Sequence, residues 1–194
     1  IGDVHAKYEE YFDIIDNIGY GYSIQIGDLG IGFRDIPYKI QKHHRFFPGN
    51  HDNRSQCLLM KNCLGNWGIA NTLHREFFVS GAYSIDYKKR KPFIEWWPDE
   101  QIHQSNFESI MNLYEKEKPK IVLTHDCPRT IIDIMKPNSR KKYINQTSDG
   151  ILQAMFDHIH KPLLWIFGHH HESWRSEING TKFVCLRELE VYCI

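Results

Sequence analysis

Four short apolar runs, each leading into a cluster of aspartate, asparagine or histidine, narrow the fold of this chain more than any bulk property does. The runs at 23–26, 45–47, 120–124 and 163–167 lead into Gly27-Asp28-Leu29-Gly30, Gly49-Asn50-His51-Asp52, His125-Asp126 and Gly168-His169-His170-His171. A fifth cluster, Gly2-Asp3-Val4-His5, follows Ile1. Apolar runs of this length read as strands, and several are continuous, as in sheets covered on both faces. Layered α/β proteins bind ligands beyond the carboxyl ends of their strands, so the pattern delivers these side chains to a common edge.

Further strands are predicted at 76–80, 82–87 and 182–186. The stretch 76–87 reads as one strand bent at Gly81 or a tight hairpin around it. Helices fall between the strands. From 7 to 18, Tyr8, Tyr11, Phe12, Ile15 and Ile18 recur at helical spacing. From 99 to 118, Ile102, Phe107, Ile110, Met111 and Tyr114 do the same, with Asp99 as N-cap and a stop before Pro119. A third helix follows Asp149-Gly150 through Ile151, Leu152, Met155, Phe156 and Ile159, ahead of Pro162. Strands alternating with helices predict an α/β fold with mixed sheets. With no internal repeat and no linker, residues 1–194 read as one domain.

The 24 basic and 24 acidic residues cancel, so no global field draws the chain to nucleic acid or a membrane. Two local basic runs, Lys88-Lys89-Arg90-Lys91 and Arg140-Lys141-Lys142, read as solvated loops, with phosphate steering as the alternative. Cys57, Cys63, Cys127, Cys185 and Cys193 show neither a disulfide framework nor zinc-ribbon spacing. A reduced, cytoplasmic setting is the expectation. The apolar run at 163–167 is far too short to cross a bilayer.

Carboxylate and carboxamide oxygens beside imidazoles, with no thiolate, suit manganese, iron or zinc ions. One aspartate can bridge two ions, and two cations ~3.5–4 Å apart clamp a phosphoryl oxygen and acidify a water. Each cluster alone is a weak or moderate signal. All five in this order point to metal-assisted phosphoester hydrolysis.

The order Asp-x-His, Gly-Asp, Gly-Asn-His-Asp, His and Gly-His-x-His, from Asp3 to His171, resembles the calcineurin-like metallophosphoesterase superfamily. The stretch from Gly81 to Trp97, with Ser173-Trp174, is similar to its compact bacterial and phage members. The resemblance implies a four-layer α/β/β/α sandwich with a dinuclear metal centre at one edge. It implies that Asp3, His5, Asp28 and His171 hold one divalent ion. Asp28 would bridge, and Asn50, His125 and His169 would complete the second site. His51 matches the histidine that protonates the leaving oxygen, with Asp52 orienting it by a hydrogen bond. His170 takes the variable position and does not ligate.

The chain also departs from the family pattern. Family members carry an apolar strand ahead of the first aspartate; here Ile1 and Gly2 stand there, so a strand before Asp3 reads as missing. The protein phosphatase signatures Gly-Asp-x-Val-Asp-Arg-Gly and Gly-Asn-His-Glu are not matched by Gly27-Asp28-Leu29-Gly30-Ile31-Gly32 and Asp52. The 23 residues after His171 leave no room for the capping domain of the repair nucleases.

The expected function is hydrolysis of small soluble phosphomono- or diesters. Manganese is the first choice of metal, with iron, zinc and nickel compatible, and His51 acts as general acid. A polynucleotide nuclease would need a longer basic track. A non-catalytic scaffold would have shed ligands that this chain keeps. Arg54 and Arg34 are placed to contact a substrate phosphate, against the plainer reading of structural or surface arginines. Trp97 is either a stacking surface for a base or aryl group or a core side chain.

Overall fold

Alternation at a period of two sorts the apolar strands into opposite faces, and those faces define the layers. The structure, a computed structural model, describes residues 1–19, 21–37, 39–137 and 147–194. Six strands form one mixed sheet: β3 (Trp67–Ile69), β4 (Phe77–Val79), β5 (Ile121–Thr124), β6 (Leu164–Phe167), β7 (Trp174–Ile178) and β8 (Thr181–Cys185). Their order is β3-β4-β5-β6-β8-β7; the four central strands run parallel and the two edge strands antiparallel. A smaller sheet pairs β1 (Ser23–Gln25) with β2 (His44–Phe46) in parallel.

On one face of the large sheet, Phe77, Val79, Val122, Trp165, Phe167 and Phe183 pack against α3 (Phe107–Glu117), α4 (Arg129–Met135) and α5 (Thr147–Asp157). On the other, Phe78, Leu123, Leu164, Ile166 and Val184 meet Ile26 and Phe47, the residues that follow β1 and β2, with Phe47 stacked on Phe78 at 5.5 Å. A third core joins Phe46, Leu29 and Ile31 to Tyr11, Phe12 and Ile15 of α1 (Tyr8–Ile18) and Cys57 of α2 (Arg54–Leu59). The result is helix, sheet, sheet and helix, the four layers expected. Each buried phenylalanine or isoleucine contributes about 1.5–3 kcal/mol, so the inter-sheet core is a major source of stability.

The sequence expectations hold for most of these elements, with four corrections. Residues 82–87 form no strand: the chain turns at Gly81 (φ 78°), and Tyr87–Lys89 is a 3₁₀ turn. The helix expected from 99 starts at Phe107 behind a 3₁₀ turn at Gln104–Asn106. Asp99 does not cap it; the Asp99 carbonyl accepts from Arg54 instead. Ile159 lies beyond α5 and is 93% exposed, so it is not part of that helix's apolar face. Strands β3 and β7 and helices α2 and α4 were not anticipated, because each is short and at best weakly patterned. Arg140, Lys141 and Lys142 lie outside the described residues. All five cysteines are free thiols. No described helix is long and apolar enough to cross a membrane.

Candidate metal centre

Parallel strands release their side chains at one edge. β1 runs on to Asp28, β2 to Asn50, β5 to His125 and β6 to His169. Residues 1–5 lie alongside: Ile26 N–H donates to the Ile1 carbonyl, and the N–H groups of Val4 and His5 donate to the Asp28 carbonyl. Leu189 N–H donates to the Asp3 carbonyl, clamping that segment from the far side.

Two ligand-competent groups arise from the predicted ligands. Asp3, His5 and His171 form one, and Asp28, His125 and His169 the other; the donor atoms of each lie within 4.8 Å of one another. Among the described residues a third ligand-competent group, Asp126, His169 and His170, adjoins these two. His171 Nε2 is 3.3 Å from Asp3 Oδ2 and 3.0 Å from His5 Nε2. Asp28 spans both groups, with Oδ2 3.8 Å from His5 Nε2 and Oδ1 3.3 Å from His125 Nε2. Asn50 Oδ1 joins the second group, 2.9 Å from His125 Nε2. The seven side chains assigned to ligation are therefore brought together.

Three observations fit this cluster to divalent cations. Buried Asp28 Oδ2 meets no hydrogen-bond donor among the described residues. An unpaired buried carboxylate oxygen is costly unless a cation takes it. The far side of two imidazoles is already fixed, with His125 Nδ1 2.9 Å from the Ile26 carbonyl and His171 Nδ1 3.2 Å from Glu188. Such outer contacts orient ring nitrogens toward a metal. Finally, carboxylate and imidazole are strongly coupled in the second group. Burial opposes a charged His125, but the Asp28 and Asp3 carboxylates outweigh it and hold the ring up at about 10. Despite its own burial, Asp28 is pulled well below the usual carboxylate range by His125. Burial, only partly offset by Asp126, pushes His169 down to about 3.

The backbone is bent to serve this cluster. His5, Asp28, His169 and His171 all have positive φ, a region that Asp and His enter more readily than most side chains and that recurs at functional sites. Gly49 shows how tight the fit is: a Cβ there would lie 2.0 Å from Asp28 Oδ1 and 2.3 Å from the Asp28 nitrogen. Gly49→Ala should therefore displace Asp28 and abolish the rise in melting temperature that metal produces. An unchanged rise in a scanning-calorimetry titration would refute that.

Other predicted residues are placed differently. Asp52 does not orient His51: its carboxylate accepts from the N–H groups of Leu29, Gly30, Ile31 and Gly49, binding two motif loops together. His51 Nδ1 instead lies 2.9 Å from Arg90 Nη1, and its ring sits 5.4 Å from that of His5. Arginine only donates, so Nδ1 is the accepting nitrogen and the ring hydrogen sits on Nε2. Arg54 is buried and fully engaged with the Asp99 and Glu100 carbonyls, Asn66 and Ser80, which removes it as a substrate contact. Arg34 is exposed on a turn whose carbonyl accepts the Tyr8 hydroxyl. Trp97 is 4% exposed and packs edge-on under Phe33, so Phe33 is the more exposed aromatic beside His51.

His170 turns away from both groups to Asp126, at 3.0 Å, which with His169 draws that carboxyl down to about 2 against the effect of burial. Sequence reasoning missed Arg90 and Glu188 as site neighbours. Arg90 carried a trace as part of a basic run. Glu188 carried none, because it lies past the last motif and reaches the site only through the fold.

A family model of calcineurin-like phosphoesterases matches residues 1–173. No curated protein matches the chain. Among solved structures, phosphopantetheinyl hydrolase from Mycobacterium tuberculosis is similar at a TM-score of 0.47 and 11% identity, over 97% of this chain and 88% of that one.

Proposed function

The chain belongs to the calcineurin-like phosphoesterase family and is a metal-dependent phosphoesterase, and from that premise we propose that it works through a dinuclear centre on small soluble phosphomono- or diesters. The observation that carries this reading is the pair of ligand groups bridged by Asp28. Asp3, His5, Asp28 and His171 would hold one ion, and Asp28, Asn50, His125 and His169 the other. The oxygen and imidazole donor set favours manganese, with iron, zinc or nickel compatible. Two such cations, when bound, supply Lewis acidity to a phosphoryl oxygen and lower the pKa of a water.

The chain's own residues do the rest. Asp28 would be shared by the two ions, and its Oδ1 accepts from the His51 N–H at 2.8 Å, tying the proposed proton donor to that carboxylate. His51, its Nδ1 held by Arg90, presents Nε2–H to the departing oxygen. Phe33, 41% exposed beside His51, offers an apolar wall to the leaving group. Arg90 is committed to His51 and Asp86, which shortens the basic track a polynucleotide would need and favours a small substrate.

The test is side-by-side hydrolysis of an activated phosphomonoester and the matching diester by metal-stripped protein titrated with Mn²⁺. Turnover should appear only with metal and saturate at two ions per chain. The preferred ester assigns monoesterase or diesterase. Turnover that survives chelation, or that saturates at one ion, would refute the dinuclear reading.

A further inference from the structure

Asn50 is the one candidate ligand whose side chain has a binding end and a non-binding end. Its amide oxygen can take a cation, and its NH₂ cannot. Something must choose between them. Asn50 Nδ2 donates to Ser84 Oγ at 2.9 Å. Ser84 has a single hydroxyl hydrogen, and it is committed to Glu100 Oε2 at 2.5 Å. The other oxygen, Glu100 Oε1, accepts the Ser84 backbone N–H at 2.9 Å. With its hydrogen directed to Glu100, the hydroxyl can only accept from Asn50, so the amide nitrogen must face Ser84 and Oδ1 must face the centre.

The three side chains are shut away from water, at 1%, 2% and 2% exposure for Asn50, Ser84 and Glu100. Glu100 is itself fixed, because its carbonyl accepts Arg54 Nη2 at 2.9 Å. Gly81 seals the arrangement, since a Cβ there would lie 2.3 Å from the Glu100 carbonyl oxygen.

We propose that Glu100, acting through Ser84, is a positioning residue that holds the Asn50 amide oxygen-first toward the second cation site. The inference rests on the dinuclear reading above. Glu100→Gln keeps the shape but cannot face two donors with two acceptors. If its oxygen stays on the Ser84 N–H, its NH₂ donates to the hydroxyl. The hydroxyl hydrogen then turns to Asn50 and favours the flipped amide.

The experiment is calorimetric titration of the metal-stripped protein with Mn²⁺. Wild type should bind two ions. Glu100→Gln should keep the first and weaken the second by about 10–100-fold, the usual loss when an outer contact to a ligand is removed. Ser84→Ala, which deletes the link itself, should do the same and serves if Glu100→Gln fails to fold. In an Asn50→Ala background, Glu100→Gln should cause no further weakening, because its effect passes through the missing amide. Unchanged affinity for the second ion in both single variants would overturn the proposal. So would a weakening that persists in full without Asn50, which would mark a merely structural role. A wild-type protein that binds only one ion would overturn the dinuclear reading, and this inference with it, before any variant is compared.

Discussion

An Asp28→Ala variant should bind neither ion tightly and should lose at least about three orders of magnitude in turnover. The argument is geometric. Asp28 Oδ1 faces His125 and Oδ2 faces His5, so one truncation removes a ligand from both groups. Lewis acidity toward the phosphoryl group contributes several kcal/mol to the transition state, and ~4 kcal/mol corresponds to roughly 10³ in rate. The same loss is visible without any substrate. An ion at a thousand times its Kd stabilises the folded chain by ~4 kcal/mol. For a chain of this size that is a rise of roughly 8–16 °C in melting temperature. Wild type should show that rise with Mn²⁺, and Asp28→Ala should not. A full metal-dependent rise in the variant would remove Asp28 from the bridge.

Much of this site was legible from the chain because its ligands sit directly after apolar runs. Asp28, His125 and His169 are positioned by the strand that precedes each, so sequence adjacency carries the geometry. The layers are legible for the same reason: Phe77, Phe78 and Val79 in a row suit a strand covered on both faces, and the two cores show where each side chain goes. What the chain concealed depends on contacts distant in sequence. Glu188 stands 17 residues beyond His171 and meets it only because β7 and β8 fold back.

Asp52 was misjudged for a related reason. The family resemblance implies that it orients His51, but backbone geometry sends its carboxylate to four N–H donors on two loops. Arg54, two residues past Asp52, follows the same rule. Residues beside a motif in sequence support it, since a cluster built around a buried carboxylate oxygen without a donor, Asp28 Oδ2, needs a rigid, hydrogen-bonded bed. The 82–87 error has the same origin: its alternating pattern suits a strand, but Ser84 is drawn inward by Glu100 and the chain turns to allow it.

Removing the imidazole of His51 should separate proton donation from metal binding. His51→Ala should still bind two ions, because none of the predicted ligand atoms is lost; its backbone N–H, which bonds Asp28, is retained. Turnover on an alkyl phosphoester should fall by about 10²–10⁴-fold, the usual contribution of a positioned proton donor. The size of the loss should depend on the leaving group. An alkoxide departs poorly without a proton, whereas a nitrophenolate is stable enough to leave without one. The nitrophenyl ester should therefore lose far less, about tenfold or under. Parallel kcat measurements on the two esters decide the matter. Equal losses on both would place His51 on the attacking side of the reaction, and no loss on either would leave its ring, for all its contact with Arg90, outside the chemistry.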